Sequence, residues 1–105
     1  MDATKRARLA AQGWRVGTVA EFLDLTAEEI ALIEMRLALS SSLRTRREQQ
    51  MTQAELATRL HANQQQVADA EAGDTSISLD WLIRAMLAVG ATPREIGTLI
   101  GSVEP

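Results

Sequence analysis

The chain has 105 residues, no cysteine, one histidine and a formal net charge of -3. This length is enough to fold as one domain, and the lack of cysteine excludes disulfides, thiol nucleophiles and cysteine-based zinc sites. The net negative charge argues against a protein that coats nucleic acid non-specifically. The N-terminus lacks an apolar core and no window is long enough to span a bilayer, so we expect a cytoplasmic protein with no membrane partner.

Sequence signals for helices run along the chain, and four Thr-x-x-Glu spacings predict helix starts. In this capping box the Thr oxygen accepts from an amide of the first turn, and the Glu accepts from the Thr amide. The pairs are Thr18 and Glu21, Thr26 and Glu29, Thr52 and Glu55, and Thr92 and Glu95. Gly73, Gly90 and Gly101 stand where helix terminators belong. The result is a predicted all-α chain with helices near residues 19–23, 27–49, 53–60, 64–72, 79–89 and 93–100.

The long helix predicted over residues 27–49 carries more apolar surface than one small domain needs. Two adjoining stripes are formed by Ile30, Ile33 and Leu37 and by Leu32, Met35, Leu39 and Leu43. Two explanations stay open: an N-terminal helix around Phe22 covers the second stripe, or a partner or second copy covers it. The serine run at residues 40–42 is either a weak stretch of this helix or a point where it breaks.

Only one stretch in the interior of the sequence has a positive balance of charge. Residues 42–66 carry four arginines against two glutamates, whereas residues 16–41 and 67–105 are each net negative. The positive stretch leads into two short predicted helices, at 53–60 and 64–72, joined by the turn His-Ala-Asn. Such a pair is typical of a helix-turn-helix, in which the second helix enters the major groove of DNA and the first crosses its backbone.

The segments TQAELATRL, NQQQV and EAG, within residues 52–73, resemble the helix-turn-helix of the Xre and lambdoid phage repressor family. Residues 74–101 resemble the last two helices of that family, with a core made of Leu79, Leu82, Met86, Leu87 and Ile96. The resemblance implies an all-α, five-helix lambda-repressor-like helix-turn-helix domain over residues 26–105. Residues 1–25 would then be an N-terminal extension with a short helix.

The resemblance also implies how DNA would be held. In the family the first Gln of the motif contacts a phosphate, which carries over to Gln53, and the first residues of the recognition helix read bases. Amides pair with adenine and an acid accepts from cytosine, so the candidate base-reading residues are Asn63, Gln64, Gln65, Gln66 and Asp69. The candidate phosphate contacts are Arg44, Arg46, Arg47, Thr52, Gln53 and Arg59.

The recognition helix departs from the family pattern after Val67. Family members often carry Ser and then Arg or Lys at the next two positions, whereas this chain has Ala68 and Asp69. An acid there either repels phosphate or accepts from the amino group of a cytosine. The base preference at this position is therefore an open question.

A buried ion pair is a further feature that the resemblance implies. In the family an Arg late in the first helix often pairs with the Glu of the E-x-G ending, which is Glu71 here. The Arg is Arg46 by simple count, or Arg47 if Leu43 keeps its place in the core. In either case one Arg is structural and its neighbour is left for phosphate.

The stretch GWRVGTVAEFLDLTAEEIALIEMRLAL resembles the leader that precedes this motif in HigA-like antitoxins. It implies a toxin of the RelE or HigB type as partner. Because basic groups are few, we also expect a homodimer that binds two DNA half-sites. The expected function is a sequence-specific DNA-binding transcriptional regulator, a repressor and antitoxin of a type II toxin-antitoxin pair. The alternatives are a free-standing Xre-type regulator and a protein-interaction module that has lost DNA binding.

Catalytic and ligand-binding patterns are missing from the sequence. It shows no nucleophile with a base, no carboxylate pair and no glycine-rich phosphate loop, so we expect neither an enzyme nor a cofactor. His61 has no second ligand at a suitable spacing, so no metal site is expected and this residue is interpreted as a polar surface residue.

Overall fold

A computed structural model describes residues 24–103 of the chain. The described part consists of five α-helices and contains no strand. The helices are α1 (Ala27–Glu48), α2 (Gln53–Arg59), α3 (Gln64–Glu71), α4 (Leu79–Ala88) and α5 (Pro93–Gly101). The all-α prediction is therefore confirmed for residues 24–103, and the helix predicted near residues 19–23 lies outside the described residues.

The chain divides into two compact units, Met1–Glu34 and Met35–Pro105. In the described part of the first unit, Thr26 and Glu29 form the predicted capping box at the start of α1. Thr26 Oγ1 accepts from the Glu29 amide at 3.1 Å, and Glu29 Oε1 accepts from the Thr26 amide at 3.2 Å. The predicted division of the chain at residues 25 and 26 stays a prediction, because most of the proposed extension lies outside the described residues.

Side-chain caps also fix where the helices of the second unit begin. The predicted capping boxes Thr52 with Glu55 and Thr92 with Glu95 are both present. A further box, not predicted, joins Asn63 to Gln66 at the start of α3. Ser78 caps α4 by accepting from the Trp81 amide at 3.1 Å. Each cap satisfies an amide that the first turn leaves without a helical partner, so the four starts are specified locally.

Three helices end with a residue in the left-handed conformation, His61, Gly73 and Gly90 at φ values of +54°, +77° and +94°. In each case the next amide reaches back to a carbonyl of the last turn. After α2, for example, Ala62 N donates to Ala57 O at 2.9 Å. Glycine is the usual residue in this conformation, because a Cβ makes it unfavourable. The turn between α2 and α3 therefore contains His61 in a backbone conformation that is unfavourable for a residue with a Cβ.

The core of the second unit is built from all five helices. Helices α2 and α3 pack directly on each other, and Ala57 of α2 is 3% exposed, as a small residue at a close helix contact should be. The largest fully buried side chains are Leu39, Leu43, Leu56, Val67, Leu82, Met86 and Val89. Leu32, by contrast, is 44% exposed in the first unit. The two explanations for the apolar surface of the first half of α1 both stay predictions.

Two predictions about α4 and α5 are wrong. Leu87 is 47% exposed rather than part of the core. The buried residues of α4 and its C-cap are Leu82, Ala85, Met86 and Val89, which occupy one face and leave Leu87 on the opposite face. Gly101 is the last residue of α5 rather than its terminator, and Ser102 caps the helix with ordinary right-handed backbone.

Helix α1 continues through the serine run at residues 40–42 without a break. Ser40 is 2% exposed, and its Oγ has no hydrogen-bond partner. It lies one turn after Leu37, which packs so close to Gly73 that an added Cβ there would stand 3.0 Å from the Leu37 Cδ2. A small residue at position 40 suits this close approach, although its hydroxyl is desolvated without compensation.

Replacing Ser40 by Ala is expected to raise the free energy of unfolding by about 1 kcal/mol more than replacing Ser41 by Ala. Both substitutions bring the same gain in helix propensity. Only Ser40→Ala also removes a buried hydroxyl, because the hydroxyl of Ser41 is exposed to solvent. Urea denaturation followed by circular dichroism measures the difference. Equal stability of the two variants would show that the buried hydroxyl is harmless.

Candidate nucleic-acid interface

The first residues of α2 and α3 lie side by side on the surface of the second unit. The Gln64 Nε2 donates to the Gln53 Oε1 at 3.4 Å. Gln53 is half-buried and Gln64 is exposed. The structure therefore brings together the residue predicted to contact phosphate and the first residue predicted to read a base.

A largely buried ion pair lies behind these two glutamines. The guanidinium of Arg47 binds the carboxylate of Glu71 through two bonds, and its Nη2 donates to Glu71 Oε1 at 3.0 Å. The side chains are only 12% and 5% exposed. Arg47 Nη1 also donates to the Met51 carbonyl at 3.1 Å, in the turn between α1 and α2. Of the two arginines considered for this pair, Arg47 is the one that makes it.

Hydrogen bonding to Glu71 also raises the pKa of Arg47 above its ordinary value, more than its burial lowers it. The guanidinium is therefore charged at every pH at which the protein is folded. The buried guanidinium of Arg47 needs the carboxylate of Glu71, because an unpaired buried charge destabilises the fold far more than a paired one. Arg47 is thus committed to the fold, although it was a candidate phosphate contact.

Glu71 also sets the orientation of Gln53. The Gln53 Nε2 donates to Glu71 Oε1 at 3.2 Å. An ionised carboxylate only accepts hydrogen bonds, so the amide nitrogen of Gln53 faces Glu71 and its oxygen is turned toward Gln64. Arg47, Glu71, Gln53 and Gln64 form one chain of hydrogen bonds, which we call the Glu71 network. It connects the buried ion pair to the exposed start of α3.

Two other candidate base-reading residues, Asn63 and Gln66, are engaged in capping α3. The Asn63 Oδ1 accepts from the Gln66 amide at 2.8 Å, and the Gln66 Oε1 accepts from the Asn63 amide at 3.0 Å. Both side-chain oxygens are therefore held by the cap, and each side chain keeps its NH₂ group and one lone pair of its oxygen for a further partner. Gln64 and Gln65 are the residues of this run whose oxygens accept no hydrogen bond from residues 24–103.

Gln65 is held by the acid that departs from the family pattern. Its Nε2 donates to Asp69 Oδ1 at 2.8 Å, one helical turn further along α3. Gln65 is exposed and Asp69 is half-buried. Since residues four apart share a helix face, the pair lies along one edge of α3.

The candidate phosphate contacts fall into two groups. Arg44 and Gln53 line a groove of about 260 Å³ beside Ala68 of α3. Arg44 is exposed and makes a loose ion pair with Glu48 at 3.7 Å. Thr52 lies next to this groove and caps α2. Thr52 and Gln53 also share a groove with Gln64 at the start of α3.

Arg46 and Arg59 are directed elsewhere. Arg46 pairs with Glu95 and lines a separate groove with residues of α5, namely Arg94, Glu95, Thr98 and Leu99. The hydrogen bond from Arg46 lowers the pKa of the Glu95 carboxyl, with further help from the amide and hydroxyl of Thr92. Arg59 donates to the Ala88 carbonyl at 3.4 Å, at the end of α4. Within residues 24–103, neither Arg makes a hydrogen bond or an ion pair with α3.

The surface between α1, α2 and α3 is polar but carries little charge. A groove of about 720 Å³ is lined by the residues from Arg47 to Glu55 and by Gln64. Its charged groups are the paired Arg47 and two glutamates, and the carboxylate of Glu55 is held on the Thr52 amide at 3.2 Å. Amides are thus the main polar groups that this surface offers to a ligand.

Between residues 24 and 103, no cluster of His, Asp or Glu side chains could hold a metal ion. None of the described helices has the length and apolar character to cross a membrane.

Comparisons of the chain with models of protein families, with curated proteins and with solved structures find no match. The resemblance to the Xre and lambdoid phage repressor family therefore stays a prediction.

Sequence reasoning missed most of these contacts, although two of them had a signal. Asn63 with Gln66 has the spacing of a capping box, with amides in place of Thr and Glu. Gln65 and Asp69 stand four residues apart on a predicted helix, which is the spacing for a side-chain bond. The pair of Arg46 with Glu95 joins residues 49 positions apart, and no local pattern indicates it.

Replacing Arg47 by Met is expected to lower the free energy of unfolding by about 3 kcal/mol, because it leaves the buried Glu71 carboxylate unpaired. The double variant R47M/E71M should recover most of this loss, since it buries no charge. The matched control is Arg44→Met, whose exposed pair contributes about 0.5 kcal/mol or less. Urea denaturation of the three variants measures these values, and equal effects of R47M and R44M would contradict the structural role of the pair.

Proposed function

We propose that this protein is a sequence-specific DNA-binding transcriptional regulator built on a five-helix lambda-repressor-like helix-turn-helix domain. In this proposal α2 and α3 are the helix-turn-helix pair, and α3 is the recognition helix. The observation that carries it is the bond between Gln64 and Gln53, held in place by Glu71. This arrangement presents amides from the starts of two adjacent helices on one surface, as contact with a base and its neighbouring phosphate requires.

Base recognition is assigned to the outward amides of Gln64 and Gln65. Adenine presents an amino donor and the N7 acceptor in the major groove, and a glutamine amide matches both. The Gln64 amide nitrogen has two hydrogens, of which one is given to Gln53. The second hydrogen and the oxygen are therefore available for adenine at the same time.

Phosphate contact is assigned to Thr52 and Gln53, which line a groove with Gln64, and to Arg44, which lines a groove with Gln53 and Ala68. Neutral amides and one exposed guanidinium give a weak electrostatic contribution, because affinity for DNA grows with the number of phosphates neutralised. One domain should accordingly bind weakly. We therefore propose a homodimer that occupies two half-sites of double-stranded DNA, so that the second domain binds at high local concentration.

The biological setting is proposed from the resemblance of the leader sequence to HigA-like antitoxins. In this view the protein acts in the cytoplasm as a repressor of its own gene pair and as the antitoxin of a RelE- or HigB-like toxin. The 44% exposure of Leu32 on α1 is in keeping with an apolar surface that a protein partner covers. A free-standing Xre-type regulator would use the same DNA surface without a toxin.

A protein-interaction module that has lost DNA binding is the second candidate function. The observation in its favour is the scarcity of positive charge around α3, which carries the acids Asp69 and Glu71 and no Lys or Arg, while the exposed Arg44 pairs with Glu48. The two candidates differ in one property, since a module of this kind has no preference among DNA sequences. Binding of the protein to its own promoter and to random duplexes therefore separates them.

Replacing Gln64 by Ala is expected to remove the preference for one base of the promoter duplex, at a loss of about 1–3 kcal/mol for the preferred sequence. Replacing Gln53 by Ala should weaken binding to every duplex, because a phosphate contact is independent of sequence. It should also relax the preference at the base that faces Gln64, because Gln53 holds the nitrogen of Gln64. Fluorescence anisotropy with duplexes altered one base pair at a time measures both effects. Equal losses in the two variants on all duplexes would contradict these roles.

Arginine variants provide the matched control for the binding face. Arg44→Ala should reduce the slope of log affinity against log salt concentration by about one, as expected for one lost phosphate contact. Arg94→Ala removes the same charge from α5, in the groove that Arg46 also lines, and should leave the slope unchanged. Wild-type protein that shows no preference for any sequence would overturn the proposed function itself.

A further inference from the structure

Asp69 is the acid on α3 that contacts a candidate base-reading residue. We propose that it is a positioning residue which holds Gln65 with its amide oxygen outward, so that Gln65 favours a base that carries an amino group in the major groove. The inference rests on the proposed function, because it concerns the specificity of the same DNA surface. In this inference Asp69 acts by orienting Gln65 and does not itself contact DNA.

The geometry fixes which end of the Gln65 amide faces Asp69. The Gln65 side chain approaches Asp69 Oδ1 at 2.8 Å, a normal hydrogen-bond distance. A carboxylate accepts and never donates, so the neighbouring atom of Gln65 has to be the NH₂ nitrogen rather than the oxygen. Turning the amide over would place two oxygens against each other. The carboxylate therefore determines the polarity of the glutamine.

The Gln65 amide, although bonded to Asp69, can still make two hydrogen bonds to a base. One hydrogen of the Gln65 nitrogen, the one that points away from the amide oxygen, suits the bond to Asp69. The other hydrogen and the oxygen then face outward together. Gln65 is exposed, so this edge is accessible from solvent. Between residues 24 and 103, the structure records no other side-chain bond to the Gln65 amide.

An outward oxygen selects among the four bases. Adenine offers its N6 amino group, with N7 as acceptor for the second hydrogen, and cytosine offers its N4 amino group. Guanine presents only acceptors, O6 and N7, and thymine presents O4, so either base can pair with the remaining N–H of Gln65 but leaves its oxygen without a donor. By fixing the amide, Asp69 places the Gln65 oxygen where it favours a base that carries an amino group, adenine above all.

A carboxylate also orients Gln64, but it does so indirectly, through Gln53. Glu71 fixes the polarity of Gln53, and Gln53 in turn receives the nitrogen of Gln64. Two carboxylates, one buried and one at the surface, therefore orient two adjacent glutamines in the same sense. The negative charge of Asp69 should slightly weaken binding to all sequences, since it lies near the phosphates that α3 would approach.

The test is selection of bound duplexes from a random pool by the full-length chain and three variants: Gln65→Ala, Asp69→Asn and the double variant. Wild-type protein should prefer an amino-bearing base at the position that Gln65→Ala relaxes, by about fivefold or more over guanine or thymine. Asp69→Asn should relax that same position, because Asn both donates and accepts. The double variant should relax it no further than Gln65→Ala alone, since the two residues act in series.

Charge has to be separated from orientation, and Glu48→Gln is the control. It removes one exposed acid from α1 beside Arg44, so it should raise affinity for all sequences without changing base preference. Asp69→Asn removes the same charge and should change preference as well as affinity. Circular dichroism of Asp69→Asn and Asp69→Ala checks that α3 is still folded.

Two outcomes overturn the inference while leaving the proposed function in place. The first is that Asp69→Asn keeps the wild-type preference at the Gln65 position. The second is that it relaxes a different position, which would mean that Asp69 reads a base itself. A third outcome, no sequence selection by the wild-type protein, overturns the proposed function and this inference together. Relaxation confined to the Gln65 position in both single variants supports the inference.

Discussion

The ion pair between Arg47 and Glu71 is the interaction on which the rest of the second unit depends. It joins the end of α1 to the end of α3, and through the Met51 carbonyl it also holds the turn that leads into α2. Because both side chains are almost fully buried, neither charge can lose its partner without a large loss of stability. The same carboxylate then orients Gln53 at the surface. A structural contact and the candidate DNA surface therefore share one residue, Glu71.

The segment QQQVADAE of α3 carries two acids and no Arg or Lys, which at first suggests a helix unsuited to DNA. The structure gives both acids a partner within the protein. Glu71 is neutralised by Arg47, and Asp69 accepts from Gln65. In the account proposed here, acids orient the amides that meet the bases, and phosphate contact falls to α1 and α2. The cost of this arrangement is affinity, since few phosphates are neutralised, and a second domain on the same DNA compensates for it.

Local chemistry explains which parts of the fold could be predicted. The capping boxes at Thr52 and Thr92 gave helix starts that the structure confirms, because a cap involves residues only three positions apart. The choice between Arg46 and Arg47 needed the packing of α1 on α3, which sequence spacing alone does not supply. The burial of Leu87 was predicted wrongly for a similar reason. Helix α4, LDWLIRAMLA, carries apolar side chains on most of its faces, so contacts with the other helices decide which face is buried. The orientation of Gln53, Gln64 and Gln65 depends on their neighbours in space, and only the structure provides these.

The central claim is that the amides at the starts of α2 and α3 form the DNA surface, and nuclear magnetic resonance tests it most directly. The measurement is a titration of ¹⁵N-labelled protein with a duplex selected from a random pool. The account predicts that the side-chain amide signals of Gln53, Gln64 and Gln65 shift first, while the backbone signals of Thr98 and Leu99 on α5 stay in place. Shifts on α5 or around Leu32, with the three glutamine signals unchanged, would contradict it.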